Sequence, residues 1–506
     1  MTNPLFGPLK PIAAPPADAA HKLHRTLGWP HLVALGVGAI VGTGILTLIG
    51  TGAGLAGPGV IVSFLIAGLV CAAAALAYAE LATMIPQSGS AYTYSYVAVG
   101  ETIAWIVGWS LILEYSVVCS TVAVGWSGYF TGFMDGIGWT IPKALANGPA
   151  LGGAINLPAV AIIAVVAGLL LVGTRESATL NAVLVALKIA ALAMFVIVAL
   201  PHFDAANFHP FFPNGVLPKE GPDPFHAGQT IKLGVLPAAS IIFFAFYGFD
   251  AVSTAAEEAK DPGRDMTIGI VGSMAACVVI YMAIAACAVG AAPVARFAQS
   301  AEPLALILRT LGSDTAAKVF GAVAIIALPT VILAFLFGQT RIFFVMARDR
   351  LLPERLGRVH PRSGVPVAVT IGTAIIVAAI AAFLPLAEIA ALANAGTLCA
   401  FVAVCVSMVV LRRRDPGRVR AFRVPLAPLV ALIGVVGCLL LFATLPVGTQ
   451  VRFFVWNAIG LVVYFAYARS RSAVTSTTPT GRVRNSNIAD AESTVIDEGK
   501  LPSPPK

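Results

Sequence analysis

Four ionisable residues of this 506-residue chain fall within strongly apolar stretches: Glu80, Glu114, Lys188 and Asp250. A charge in hydrocarbon is costly, and such residues usually mark an ion or substrate path. Glu114 lies in WSLILEYS with Ser110 and Thr121 roughly on its face. It is placed either to line a path for substrate or protons, or to bond one helix to another. Lys188 lies in NAVLVALKIA and shares a face with Ser177 and Asn181. A lysine midway through an apolar helix must find carbonyls or a carboxylate, or release its proton. That exchange is what proton coupling needs; a permanently charged strut is the alternative. Asp250 ends FFAFYGFD, where its carboxylate can cap a restarting helix or take part in gating. Glu80 closes an apolar run beside MIPQSGSAYTYSY, read as a loop, and is either a snorkelling terminal charge or a functional one.

The elements that must position these groups are interrupted helices. GVGAIVGTGILTLIG, Gly36 to Gly50, sits in an apolar run over about 31–56, long enough to cross a bilayer. Seven glycines fall between Gly36 and Gly54, with Gly42-Thr43-Gly44 in the middle. Each glycine costs a helix interior roughly 1 kcal/mol relative to alanine, so the run is expected to open there. Backbone opened at that depth persists only against a cavity or other protein. A half-helix N-terminus there suits a carboxylate; close GxxxG-type packing is the other reading. Gly248 and Asp250 interrupt a second apolar run in the same way. The dense aromatics Phe243, Phe244, Phe246, Tyr247 and Phe249 suit the lid of an apolar pocket. Further on, Phe335, Leu336 and Phe337 precede GQTR, Gly338 to Arg341, where bulky inward residues shorten any pocket.

Composition sets the class. With 58% hydrophobic and 11% charged residues, repeated apolar runs near 20 residues indicate a polytopic helical membrane protein. The formal charge of +8 is not a nucleic-acid signal, because 24 of the 32 Lys and Arg fall in segments on one side of the membrane. That is the positive-inside pattern. All seven cysteines lie in apolar runs without a CxxC, and all seven histidines in tails, loops or span edges, so neither a disulfide framework nor a metal site is expected. No GxxxxGK[ST] loop is present, which argues against ATP-driven transport by this chain.

Residues 1–30 read as a polar cytoplasmic arm without a cleavable leader, and 31–468 as the transmembrane domain. Twelve spans are expected, at about 31–56, 58–80, 101–130, 155–174, 177–200, 233–256, 267–291, 318–345, 365–384, 388–411, 425–445 and 449–468. The basic loops 341–362 and 412–423, with six Arg each, put both termini in the cytoplasm. The 201–232 loop is the largest external segment, and 469–506 reads as a disordered cytoplasmic tail. Five spans separate the starts of the two interrupted runs. An odd repeat length inverts the second copy, giving a 5+5 inverted repeat over about 31–200 and 233–411 with two trailing helices at 425–468.

The motifs GVGAIVGTGIL, AGPGVIVSFLIAGL, YAELATMIPQSGSAYTYSY, GWSLILEY, FFAFYGFDAVSTAAEEAKDPGRDMTIGI, GQTRIFFVMARDRLLP and RAFRVPLAPLV occur in that order. Together, over about residues 25–468, they resemble the amino acid–polyamine–organocation superfamily, closest to the bacterial cationic amino acid transporter branch. The resemblance implies an all-α, leucine-transporter-type fold with broken first and sixth spans and alternating access. By position it implies Ile40, Gly42, Thr43 and Gly44 for the substrate carboxylate and amino group. Phe244, Ala245 and Tyr247 would supply sixth-span carbonyls and one pocket wall. Lys188 matches a fifth-span lysine that replaces sodium in proton-coupled relatives, and Glu114 matches a third-span carboxylate. Phe335 and Leu336 look too bulky for a guanidinium, so a small or medium amino acid is expected.

The expected protein is a proton-coupled amino acid symporter of a bacterial inner membrane, with an exchanger or a non-transporting nutrient sensor as alternatives. Its partners are an amino acid, protons and the bilayer; no cofactor, metal or nucleic acid is expected. The sequence leaves open whether a small single-span membrane subunit accompanies it.

Overall fold

The computed structural model describes residues 6–11, 27–85, 89–172, 178–225, 229–254, 259–357 and 366–472. The first apolar run holds three helical pieces, α1 (Trp29–Ile40), α2 (Thr43–Leu46) and α3 (Leu48–Ala56). A Gly-Pro-Gly turn leads to α4 (Val60–Met84), then α5 (Ser90–Ala98), α6 (Glu101–Gly136), α7 (Lys143–Ala146), α8 (Leu157–Val172) and α9 (Ala178–Ala199). An antiparallel ribbon of β1 (Lys219–Pro222) and β2 (Thr230–Leu233) lies within the 201–232 loop and its edge. The second interrupted run comprises α10 (Val235–Ile242), a tight turn over Phe243–Phe246 and α11 (Phe249–Thr254). Then follow α12 (Pro262–Ala291), α13 (Val294–Phe297), α14 (Pro303–Thr310), α15 (Asp314–Arg348), α16 (Val367–Phe383), α17 (Leu386–Arg414), α18 (Ala427–Thr444) and α19 (Val447–Val463).

Among the described residues, eight helical runs are long and apolar enough to cross a membrane, with four shorter apolar helices: Trp29–Ile40, Leu157–Val172, Val235–Phe246 and Val367–Phe383. Two of the four shorter ones are the first halves of the interrupted runs. The chain is thus a mostly helical membrane protein. α6 packs along both α15 and α17, and α12 packs against α1 and α4. By contrast α18 and α19 turn Leu432, Leu439, Phe454 and Val462 outward, as helices solvated by hydrocarbon can at no cost.

Two local expectations change. The first run opens at Val41 and Gly42 rather than across Gly42-Thr43-Gly44: Val41 is extended, and Thr43 already belongs to α2. The stretch read as a loop after Glu80 contains the buried helix α5, with 86–88 outside the described residues. Two of its three tyrosines have their hydroxyls met: Tyr92 donates to Asp349 Oδ2 at 2.8 Å and Tyr96 to Glu101 Oε2 at 2.7 Å. Residues 6–11 of the arm pack on the helices. Lys10 Nζ pairs with Asp349 at 2.7 Å and its N–H bonds the Tyr96 carbonyl at 3.2 Å, strapping residues 6–11 across α5 and α15. Burial pulls the Lys10 ammonium below the ordinary lysine range, and the Asp349 carboxylate opposes that shift. Of the expected 469–506 tail, 473–506 lie outside the described residues.

Candidate functional site

The two interrupted runs meet each other. A Cβ placed on Gly44 would collide with the Ala245 backbone, and one on Gly248 would lie 2.6 Å from the Ala39 carbonyl carbon. Gly248 also holds φ at +110°, which disfavours any side chain. Each break therefore presses a glycine onto the backbone of the other.

Between them lies a small cavity. Ile40, Gly42, Thr43 and Gly44 line it from the first break, and Phe244 and Tyr247 from the second. Val118 and Val122 of α6 and Val331 and Phe335 of α15 close the other sides. Every lining residue is buried. Thr43 Oγ1 is buried there with no hydrogen-bond partner. Leaving a buried hydroxyl unmet costs ~1–3 kcal/mol. Of the residues singled out from sequence, Ala245 and Leu336 do not line the cavity. Ala245 packs its backbone against Gly44. Leu336 follows Phe335 on a helix, where consecutive residues point about 100° apart.

A broken helix leaves orphan carbonyls that must be satisfied. At the first break, Lys188 Nζ donates to Gly38 O at 2.9 Å and the Tyr281 hydroxyl to Ile40 O at 2.8 Å. A cation at a helix C-terminus also meets the negative end of its dipole. At the second break, Asn394 Nδ2 of α17 donates to Ser240 O at 2.5 Å and Ile241 O at 3.0 Å. Its Oδ1 accepts from the Tyr247 hydroxyl. On the far side of the gap, Asp250 Oδ1 accepts the Gly248 N–H at 3.3 Å, and Oδ2 accepts the Tyr115 hydroxyl at 3.1 Å. Tyr115 in turn packs edge-on against Phe335, their rings 5.3 Å apart.

The other two carboxylates stand apart from the cavity lining. Glu114 is buried on α6 with Oε2 lacking a hydrogen-bond partner, its Cβ close beside Gly396 of α17. Glu80 is buried at the end of α4, where it accepts Arg412 at 2.8 and 2.5 Å and the Val424 N–H at 2.8 Å, with Arg420 Nε 3.3 Å away. It ties α4 to the basic segment after α17, not to either break. Ser177, grouped with Lys188 from sequence, lies outside the described residues. The sequence reading missed Asn394, Tyr281 and Tyr115. These are neutral residues in apolar helices, and their partners are more than 100 positions away.

Comparison with known proteins agrees with this architecture. The chain is 43% identical over 454 residues to the branched-chain amino acid permease BcaP of Bacillus subtilis (strain 168), covering 89% of this chain and 94% of the relative. It is 40% identical over 467 residues to the methylthioribose transporter of the same organism, covering 92% and 98%. Against the vacuolar cationic amino acid transporter 4 of Arabidopsis thaliana it is 36% identical over 403 residues, covering 79% and 65%. The family described as amino acid permease matches residues 27–467. This chain, a multi-pass membrane transporter rather than an enzyme, therefore belongs to the amino acid permease family.

Proposed function

We propose that the chain is a proton-coupled symporter that takes up a medium-sized neutral amino acid with a branched apolar side chain. The observation that carries this reading is the buried cavity between the two breaks, lined by Thr43, whose hydroxyl has no hydrogen-bond partner, and by valine and phenylalanine side chains. In this reading the substrate carboxylate meets the backbone resuming at Thr43 and Gly44, and carbonyls around Phe244 and Ala245 meet the amino group. The side chain lies among Val118, Val122, Val331 and Phe335. BcaP of Bacillus subtilis, whose name gives branched-chain amino acids as its substrates, supports that choice.

The eight long runs and the shorter apolar helices are read as twelve crossings, α1–α3 forming the first and α10–α11 the sixth. They form a 5+5 inverted repeat with α18 and α19 trailing, in a bacterial inner membrane with both termini cytoplasmic. Coupling is assigned to Lys188. Protonated, it holds the Gly38 carbonyl and keeps the first break packed; neutral, it loses the charge-assisted part of that bond. A proton thereby favours one conformation over the other, which is all that coupling requires. Glu114 is the second candidate for carrying a proton. Asp250 fixes the restart of the sixth span.

The 40% identity to a methylthioribose transporter supports a second reading, a thioether sugar as substrate. Against it, Thr43 and Tyr247 are the only lining residues with polar side-chain atoms, and a polyol needs more partners. The deciding experiment is uptake of radiolabelled leucine into proteoliposomes under an imposed pH gradient, with competition by methylthioribose. Accumulation against the gradient, uncompeted by the sugar, is expected. Uptake only when amino acid is preloaded inside identifies an exchanger instead, and binding without uptake a sensor.

A further inference from the structure

Asn394 is fully buried on α17 and uses both ends of its amide on the second break. The Ser240 and Ile241 carbonyls can only accept, so the Nδ2 side must face α10 and Oδ1 must face Tyr247. It follows that the Tyr247 hydroxyl is the donor in its bond to Asn394. Asn394 is not a cavity-lining residue, so this bond turns the hydroxyl proton out of the cavity. The Tyr247 ring is fixed as well, packed against Phe243 and Phe244 with centroids 5.6 and 5.0 Å away.

We propose that Asn394 is a specificity-determining positioning residue: by holding the Tyr247 hydroxyl against α17, it keeps a hydrogen-bond donor out of the substrate cavity and makes the cavity select valine over its hydroxylated isostere threonine. This rests on the reading that the cavity holds an amino acid side chain. Asn394 acts through Tyr247 and touches no substrate. Without it the hydroxyl is free to swing toward the cavity, where it would reward a hydroxylated side chain and be left unmet by an apolar one.

The test is the valine-to-threonine ratio of kcat/KM for uptake into proteoliposomes. Wild type should favour valine by about tenfold or more. Asn394→Ala should lower the ratio by about tenfold, and adding Tyr247→Phe to it should restore the ratio, because the stray hydroxyl is then gone. Tyr247→Phe alone should leave the ratio within about twofold, since that hydroxyl already faces away. A merely structural Asn394 would depress both substrates together and would not be rescued by removing an oxygen elsewhere; that result overturns the proposal. Should Asn394→Ala fail to insert, Tyr247→Phe decides alone: an unchanged ratio supports the proposal and a tenfold shift refutes it. If wild type takes up no neutral amino acid, the reading of the cavity falls and this inference with it. If wild-type uptake is normal and the ratio never moves, this inference alone falls.

Discussion

The two breaks pose the same problem and solve it with different chemistry. Each ends a half-helix in mid-protein and leaves carbonyls without N–H partners. The first is served by Lys188 and Tyr281, the second by Asn394. In the proposed inverted repeat, α9 and α17 are corresponding helices, so a lysine and an asparagine stand in equivalent posts. Both satisfy the backbone, but only the lysine can lose its donor strength by giving up a proton. An asparagine amide does not titrate. In the proposed mechanism this difference gives a repeated scaffold its asymmetric coupling: one break would answer to protons, and the other would stay fixed to shape the pocket.

The largest effect is expected where the breaks touch. Gly44→Val should reduce uptake to below about 1% of wild type while insertion remains intact, because its Cβ would sit in the Ala245 backbone. Gly248→Val should do the same from the other side, with added strain from its φ of +110°. Near-normal uptake by either variant breaks the claim that the two breaks form one site. Next in size is the asymmetry itself. Lys188→Ala should abolish accumulation driven by a pH gradient, and Lys188→Arg should stay charged and lock transport. Lys188→Gln keeps a neutral donor for Gly38 O and so imitates Asn394. It should retain substrate binding within about tenfold while uptake no longer responds to the pH gradient. If Lys188→Gln accumulates leucine against its gradient as wild type does, the coupling belongs elsewhere, with Glu114→Gln the next variant to measure.

A smaller effect concerns pocket size. Phe335→Ser should shift preference toward longer side chains by about tenfold, since it removes a ring from the cavity wall. Leu336→Ser should leave selectivity within about twofold, because that side chain does not line the cavity. Competition of labelled leucine uptake by lysine and phenylalanine reads both. Equal shifts in the two variants would mean that this stretch of α15 acts through helix packing, not through the ring of Phe335.

The contrast between the breaks was half legible in the sequence. Burial alone required only that Lys188 find carbonyls or a carboxylate, or release its proton; it did not name the first run as the partner. The glycine cluster marked the first break and Gly248 with Asp250 the second, because glycine and buried charge are the loudest signals in hydrocarbon. Asn394 stood in ALANAGTLCA with nothing to mark it, since an uncharged amide is inexpensive enough in a span to pass for helix bonding. Leu336 was grouped with Phe335 by bulk, although helix geometry forbids neighbours from sharing a face. The buried α5 was read as loop because Gly89 and its polar neighbours read as turn residues, while Asp349, the partner of Tyr92, is distant in sequence. The basic segment 412–423 was read only for topology, although two of its arginines face Glu80.

Glu80 supplies the control for the whole comparison. It is as buried as Glu114 or Lys188, but its oxygens are filled by Arg412, Arg420 and the Val424 N–H, none of which belongs to a break. Such a cluster holds the end of α4 to the segment leading into α18, and it needs no change of charge to do so. Glu80→Gln leaves two guanidinium groups short of their counter-charge, which costs about 3–5 kcal/mol when a fully buried pair is broken and less here, because Arg412 is partly exposed. The expected outcome is a fall of a few degrees in Tm, by roughly the scaling of ~2–4 °C per kcal/mol for larger domains. Initial uptake rates at low temperature and their dependence on the pH gradient should stay within about twofold of wild type. Thermal denaturation of the detergent-solubilised protein beside liposome uptake separates the two effects. Loss of gradient dependence at unchanged Tm would place Glu80 in the coupling machinery. The asymmetry between Lys188 and Asn394 would then no longer be sufficient to explain where the proton acts.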